Sequence, residues 1–547
     1  MNKKRVLFLT EATYLSTGYA TYSKQVMQRL HDSGKYKIAE LSVYGSEKDE
    51  RRKTIPWKNY PNLPNPEDAE QTKLYSSDPT CQFGAWRFER ACLDFKPDVV
   101  LSIRDFWMDS FIMKSPFRRI FNWCWMPTVD ASPQNEEWIH YFSQADSIVT
   151  YSDWASNVIL SQSGGCINFV GTASPSASEE FVPMDKESLR KKLNIEPDVK
   201  IIGTVMRNQR RKLFPVLFEA FAKYIHNGCH DNTYLYCHTS YPDAGWDLGQ
   251  LLHTYGISSR VLFTYVCSGC KSVEICKFND ARKVCDSCGK YESRPVGAGN
   301  GVSDADLAQI YNLFDLYVQC ANSEGFGLPQ VEAAACGIPI ACTNYSAMED
   351  VIKKLDAYPI QLDGKYKELE TGCDRAVPNV NSIVDIFYKF FNATEDFRKM
   401  RSKTTRYKFE KHYSWDKTSE VWMNAIDNAP YANWSQPPII KAIVDPPYSV
   451  PTNRQFITEC VNYFMIDPTI LHSHDIRSLQ RDLNFGTYKS TPDGFFYSEF
   501  SPFGKSHPKP LGREDVGKMF TEKLKANNYW ESARAGLVQL RNESWLH

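Results

Sequence analysis

Two carboxylates around a glycine turn are the residues of this sequence best placed to do chemistry. In Ser323-Glu324-Gly325-Phe326-Gly327-Leu328-Pro329-Gln330-Val331-Glu332-Ala333, Glu324 and Glu332 stand eight apart. A strand that ends in such a turn and reopens as a helix lets the backbone come close to a ligand. The free N–H groups at the helix start attract an anion. A diphosphate suits the turn made by Gly325, Phe326, Gly327 and Leu328, with one acid near sugar hydroxyls and the other accepting from a ribose. A glycine turn between two solvated acids is the plainer reading of the same residues. Further upstream, Gly203-Thr204-Val205-Met206-Arg207-Asn208-Gln209-Arg210-Arg211-Lys212 gathers four basic residues within six positions.

A second cluster is of a different kind. Cys267-x2-Cys270 and Cys285-x2-Cys288 are separated by fourteen residues, the spacing of two knuckles that give four thiolates to one tetrahedral zinc. Four thiolates fill the coordination sphere and leave no position for a water. The expected zinc is therefore structural, holding an insertion over 265–296 that has little core of its own. Cys276 is left over. Lys271, Lys277, Arg282, Lys283 and Lys290 make the insert basic. That suits contact with nucleic acid; the plainer reading is a surface module that props a cleft or mediates dimerisation.

These residues need a scaffold, and the pattern of the chain supplies one. Short apolar runs alternate with amphipathic stretches over residues 1–190: strands are expected near 5–10, 38–43, 98–102, 120–125, 147–150 and 168–170, with helices at 21–33 and 85–95. The polar, proline-bearing segment 42–78 reads as an irregular loop. The alternation restarts at residue 200 and runs to about 412, interrupted by 265–296. Strand and helix in alternation make parallel, doubly wound sheets, whose ligands sit at the carboxyl ends of the strands. The expected fold is therefore α/β, two Rossmann-like domains (1–190 and 199–412) facing across a cleft, with a small zinc ribbon. A crossover helix over 413–428, opened by Tyr413-Ser414-Trp415-Asp416, and an extension over 429–547 follow. Within the extension, helices are expected at 513–526 and 530–541.

With 547 residues, 42% of them hydrophobic, 24% charged, and a net charge of −1, the chain reads as a globular protein without a global basic field for nucleic acid or anionic membrane. No segment approaches eighteen consecutive apolar residues, so no membrane span is expected. Val6-Leu7-Phe8-Leu9 is too short for a signal peptide and suits a buried first strand. Sixteen scattered cysteines without an export signal suggest reduced thiols and a cytoplasmic location.

The stretch Asn322–Asp350, with Cys336-Gly337-Ile338-Pro339-Ile340-Ala341 after the second acid, closely resembles the acid-x7-acid signature of family 4 glycosyltransferases. Gly203–Lys212 resembles the same family's strand-to-helix turn bearing an arginine and a lysine. The resemblance extends over about residues 1–425, the insert excluded. It implies the GT-B fold and transfer of a sugar from a nucleotide diphosphate sugar (UDP or GDP) with retention of configuration. No metal at the diphosphate is implied, since helix dipole and basic side chains take that role. Arg207 and Lys212 would absorb the charge that builds on the departing diphosphate, with Glu324 beside the sugar and Glu332 on the nucleotide. Ser16-Thr17-Gly18-Tyr19-Ala20 is similar to the family's N-terminal loop, with Gly18 its one retained glycine. Cys237–Ser240 with Asp243–Leu248 resembles a segment of some members, and Tyr151-Ser152-Asp153-Trp154 a structural turn. Trp125-Met126-Pro127-Thr128-Val129-Asp130 carries no histidine where members often have one. Asp130 can take a polar role there, Arg104 and Asp105 are its rivals, and a capped loop aspartate is the plainer reading.

The acceptor and the oligomeric state stay open. One alternative makes nucleic acid the acceptor, through a modified base. Another makes the chain a catalytically silent scaffold that binds nucleic acid or protein through its ribbon.

Overall fold

The computed structural model describes residues 3–227, 232–279, 281–297 and 300–435, and the backbone of 488–491, 494–497 and 509–510. The helices expected at 513–526 and 530–541 lie outside the described residues.

The architecture is the α/β GT-B fold, built on two sheets. The first has seven parallel strands in the order β3-β2-β1-β4-β5-β6-β7. These are β1 (Lys4–Glu11), β2 (Tyr36–Val43), β3 (Lys58–Pro61), β4 (Val99–Ile103), β5 (Asn122–Met126), β6 (Ser147–Thr150) and β7 (Phe169–Thr172). Alternation along β1 explains how both faces are covered. Val6 and Phe8 pack with Val26 and Leu30 of helix Gly18–Asp32, whereas Leu7 and Leu9 pack with Phe88 and Trp123 on the opposite face. All four are fully buried. The polar segment 42–78 departs from the expected irregular loop. It contains a 3-10 turn Glu50–Thr54, the edge strand β3 and helix Ala69–Tyr75.

The second sheet has eight strands: β8 (Lys200–Val205), β9 (Thr233–His238), β10 (Val261–Cys267), β11 (Val273–Lys277), β12 (Ser293–Pro295), β13 (Leu316–Gln319), β14 (Ile340–Thr343) and β15 (Tyr358–Ile360). Its order is β11-β10-β9-β8-β13-β14-β15, with β12 also paired to β10. The core strands are parallel; β11 and β12 run antiparallel to β10. The cysteine insert is thus continuous with the sheet, because β10 runs into Cys267 and both insert strands pair with it. A hairpin of β16 (Leu362–Lys367) and β17 (Asp374–Pro378) follows.

Helix Trp415–Asn428 returns to the first sheet. Trp422 donates its indole N–H to the Tyr22 hydroxyl at 2.8 Å, and Trp415 donates to the Ala177 carbonyl at 3.1 Å. Lys4 Nζ donates to the carbonyls of Ile426 and Asp427 at 2.8 and 2.7 Å, a cation on the negative end of the helix. In the separate unit formed by residues 440–547, Tyr488–Thr491 pairs antiparallel with Gly494–Tyr497, which pairs with Lys509–Pro510.

Candidate active site

In each sheet the strand order reverses once, beside β1 in the first and beside β8 in the second, and a doubly wound sheet opens its ligand crevice at that point. The loop after β8 therefore meets the loop after β13. These two loops carry the basic run and the acid-flanked glycine turn, 112 residues apart in the chain.

The loop after β8 winds as a 3-10 turn, Arg210–Lys212, and ends on Leu213 at φ 48°. A non-glycine residue held in the left-handed region is costly and clusters at functional sites. Lys212 is buried and donates to Glu324 Oε1. Arg211 Nη1 donates to Glu324 Oε2 at 2.8 Å and to the Ser323 carbonyl at 3.1 Å. Gln319 Nε2 adds a further bond to Oε1, and the Glu324 N–H donates to Ser346 Oγ at 2.9 Å. Burial works against the Glu324 carboxylate, but the charges of Arg211 and Lys212 outweigh it and hold the carboxyl at about 2. Burial, with repulsion from Arg211, brings Lys212 down to about 8. The structure thus brings Lys212 and Glu324 together, and adds Arg211, which the sequence did not single out. Four basic residues in six do not say which of them turns inward. Arg207 lies elsewhere, its side chain 62% exposed and paired to Asp243.

Glu332 sits in the second turn of helix Leu328–Ala335, opened by Gly327 at φ 92°. It accepts the Tyr311 hydroxyl at 2.8 Å, and burial raises its carboxyl to about 7. Phe326 is buried edge-on to Tyr413 at 6.0 Å, and Leu328 is half-buried on the same core.

The opposite wall comes from the first sheet. A Cβ on Gly325 would lie 2.7 Å from Thr128 Cγ2 and 4.0 Å from Asp130 Cβ, so the glycine turn meets the loop after β5 directly. Asp130 accepts from Ser323 Oγ at 3.3 Å and from Arg375 Nη1 at 2.8 Å. Arg375, on β17, also donates to Ser323 Oγ at 2.6 Å and Glu368 Oε2 at 2.7 Å. No motif in the sequence points to Arg375, which lies 245 residues from Asp130. Of the rivals to Asp130, Arg104 is fully buried against Asp109 and the Phe83 carbonyl, a structural role. Asp105 accepts the Tyr19 hydroxyl at 3.2 Å, and that hydroxyl also lies 2.8 Å from Thr128 Oγ1. Gly18, the first residue of its helix, has open space on its Cα and follows the cap Thr17. Ser152 caps the helix Asp153–Gln162, and Asp350 of the other domain accepts the N–H of Asp153 at 2.6 Å.

The four insert cysteines form the second candidate centre. The Sγ atoms of Cys267, Cys270, Cys285 and Cys288 all lie within 4.8 Å of one another, and every described cysteine is free. Cys267–Cys288 and Cys270–Cys285 are each 3.6 Å apart, close to the edge of a tetrahedron with about 2.3 Å zinc–sulfur bonds. The residues fit a zinc. Cys276 stands apart, half-buried on β11. A cavity of about 470 Å³, lined by Glu47, Tyr60, Arg87 and Asp94 among others, belongs to neither centre.

A family profile described as "Glycosyl transferases group 1" matches residues 295–362, which include the glycine turn and both acids. Over 51 residues the chain is 39% identical to the O-antigen chain mannosyltransferase B of Escherichia coli, which is 9% of this chain and 13% of that protein. The chain therefore matches only about an eighth of that curated relative's length. Among solved structures, the sucrose-phosphate synthase of Thermosynechococcus elongatus superposes with a TM-score of 0.56 at 14% identity, over 78% of this chain and 98% of that one. Anabaena HepE, solved with UDP and glucose, gives 0.54 at 12% identity over 78% and 99%. A glycosyltransferase of Rickettsia africae gives 0.53 at 14% identity over 78% and 99%. At these identities the likeness establishes the GT-B fold. Among the described residues no helix is long and apolar enough to cross a membrane.

Proposed function

We propose that the protein is a glycosyltransferase that moves a sugar from a nucleotide diphosphate sugar to an acceptor bound against the first domain, with retention of configuration. The observation that carries this reading is the buried Lys212–Glu324 pair, joined by the half-exposed Arg211 at the β8/β13 switch point, with Asp130 of the first domain bonded to the adjacent Ser323. As the bond from the sugar C1 to the diphosphate oxygen breaks, negative charge collects on that oxygen. Lys212 and Arg211, with Arg207 further out on the same loop and paired to Asp243, are the cations available to it and make a divalent metal there unnecessary. Glu324 and the backbone of Gly325, Phe326, Gly327 and Leu328 line the sugar side, and Glu332 takes the ribose. Asp130 and the turn at Gly18 bring the first domain's polar groups to donor and acceptor. Zinc on Cys267, Cys270, Cys285 and Cys288 is structural. The free thiols suit a reducing, cytoplasmic compartment. UDP is the nucleotide to try first, since HepE was solved with it.

The test is thermal unfolding with UDP, GDP, ADP and their sugar conjugates. A ligand at a hundred times its Kd stabilises the native state by about 2.7 kcal/mol, a rise of several degrees in Tm. A rise with one nucleoside diphosphate is expected; none with any of them overturns the reading.

Two groups set the pH range. Lys212 loses its proton above about 8 and Glu332 gains one below about 7, so nucleotide affinity should peak between these values. The Glu332 carboxyl is raised on folding, so the native state carries no penalty for it below the ordinary carboxylate range. That penalty grows as pH climbs and is full above about 7. Glu332→Gln should therefore stabilise the protein at pH 8 by about 1–3 kcal/mol while weakening nucleotide binding. Urea unfolding at pH 5 and 8 checks it: an equal effect at both would refute the charge argument.

A further inference from the structure

The cysteine insert is joined to the loop that holds Arg207. The Arg207 guanidinium forms a two-point pair with Asp243, Nε to Oδ2 at 3.0 Å and Nη2 to Oδ1 at 2.9 Å. At an exposed arginine such a pair is weak by itself, so its geometry depends on how firmly Asp243 is held. Asp243 accepts the Ser240 hydroxyl and, at 2.8 Å, the Ala244 N–H. The same loop is zipped to the neighbour of Arg207: Asn208 Nδ2 donates to the Trp246 carbonyl at 2.7 Å, and Trp246 N–H donates to Asn208 Oδ1 at 2.9 Å. Gly245 is needed for this approach, since a Cβ there would lie 2.2 Å from the Asn208 carbonyl oxygen.

The other side of the loop rests on the insert. Tyr241 N–H donates to the Val296 carbonyl at 3.1 Å, just beyond β12. Its ring meets Phe278 of the insert edge-on at 5.0 Å, and Phe278 packs in turn on Phe263 of β10 at 5.1 Å. β9 pairs with β10 only through Val261–Phe263; beyond that, β12 pairs with Tyr265–Cys267. The insert thus takes up the length of β10 that β9 leaves when it turns into this loop. Cys267, which pairs with Ser293 of β12, belongs to the cluster itself.

We propose that the metal-held insert is a positioning device for Arg207, acting through the loop Thr239–Asp247, so that an intact cluster tightens the grip of the cleft on a nucleoside diphosphate. This rests on the donor reading above. Contiguous packing alone does not prove coupling, and a double-mutant cycle measures it.

Wild type, Phe278→Ala, Asp243→Asn and the double variant, each with its zinc content measured, are titrated calorimetrically with UDP and GDP well below Tm. Each single change should weaken the binding nucleotide about three- to tenfold, and the double variant no more than the weaker-binding single, as for two links of one chain. Phe278→Ala should keep its zinc, and chelated wild type should show the same loss as the variants. Val384→Ala, in the core of the same domain but on helix Val380–Phe391, lowers Tm without moving Kd, which separates positioning from general destabilisation. Unchanged affinity in Phe278→Ala, or multiplied effects in the double variant, overturns the proposal while leaving the donor reading standing. If wild type binds neither nucleotide, the donor reading fails and the proposal falls with it.

Discussion

Replacing Lys212 with methionine should cost about 3–5 kcal/mol of stability and slow any sugar transfer about a hundred- to thousandfold. The stability loss follows from burial on both sides of the pair, with Lys212 and Glu324 only 8% and 6% exposed. Methionine fills the space but leaves the Glu324 carboxylate to Arg211 and Gln319 alone. The pH dependence carries the same signature. A carboxyl held at about 2 contributes stability that is fully present above the ordinary carboxylate range and lost as pH falls through its folded value. Without Lys212 that value rises, so acid unfolding should begin at higher pH than in wild type. Lys212→Met combined with Glu324→Gln should recover most of the stability, because no buried charge is stranded, yet no turnover. Urea unfolding and a donor-turnover assay on the three proteins separate the two effects. Full turnover in Lys212→Met would remove Lys212 from the site, and an unchanged urea midpoint would show that the pair is not buried as described.

How much of this was legible in the sequence depended on the range of the interaction. Most of the parallel strands could be read because short apolar runs alternate with amphipathic stretches, as Val6–Leu9 shows, but β3, β15 and the insert strands β11 and β12 were not among them. β3 could not be: Lys58-Asn59-Tyr60-Pro61 has neither alternation nor an apolar run. It is strand only because the edge of β2 offers it a ladder, where a terminal proline is tolerated. In the site, Lys212 and Glu324 belong to local patterns and could be named before their contact was visible. Arg211 required knowing that the chain winds as a 3-10 turn and reverses at Leu213, which the basic run itself does not encode. Arg375 is further from reach, because its place beside Asp130 and Ser323 exists only once a hairpin and two domains have come together. The cysteine knuckles were plain from spacing. Their continuity with the sheet was not, since an antiparallel addition at a sheet edge has no sequence period of its own.

That continuity sharpens what Cys285→Ser should do. Serine offers a hard, poorly deprotonated oxygen where the proposed zinc needs a soft thiolate, so zinc content should fall from the one equivalent expected of wild type. Metal binding by such small sites is coupled to their folding, with apparent values of about 10–16 kcal/mol in isolated peptides. In this chain only part of that is at stake. β10 keeps its register with β9 through Val261–Phe263, and the core of helix Phe214–His226 does not touch the cluster. The loss should therefore be local: trypsin should cut at Lys271, Lys277, Arg282, Lys283 or Lys290, while the two sheets still unfold cooperatively at a lower Tm. Cys276→Ser is the matched control, since Cys276 lies outside the cluster and its loss should leave both zinc and protease resistance in place. A full equivalent of zinc in Cys285→Ser would overturn the four-thiolate assignment. Zinc lost with no new cleavage would mean that pairing of β11 and β12 to β10, rather than the metal, holds the insert.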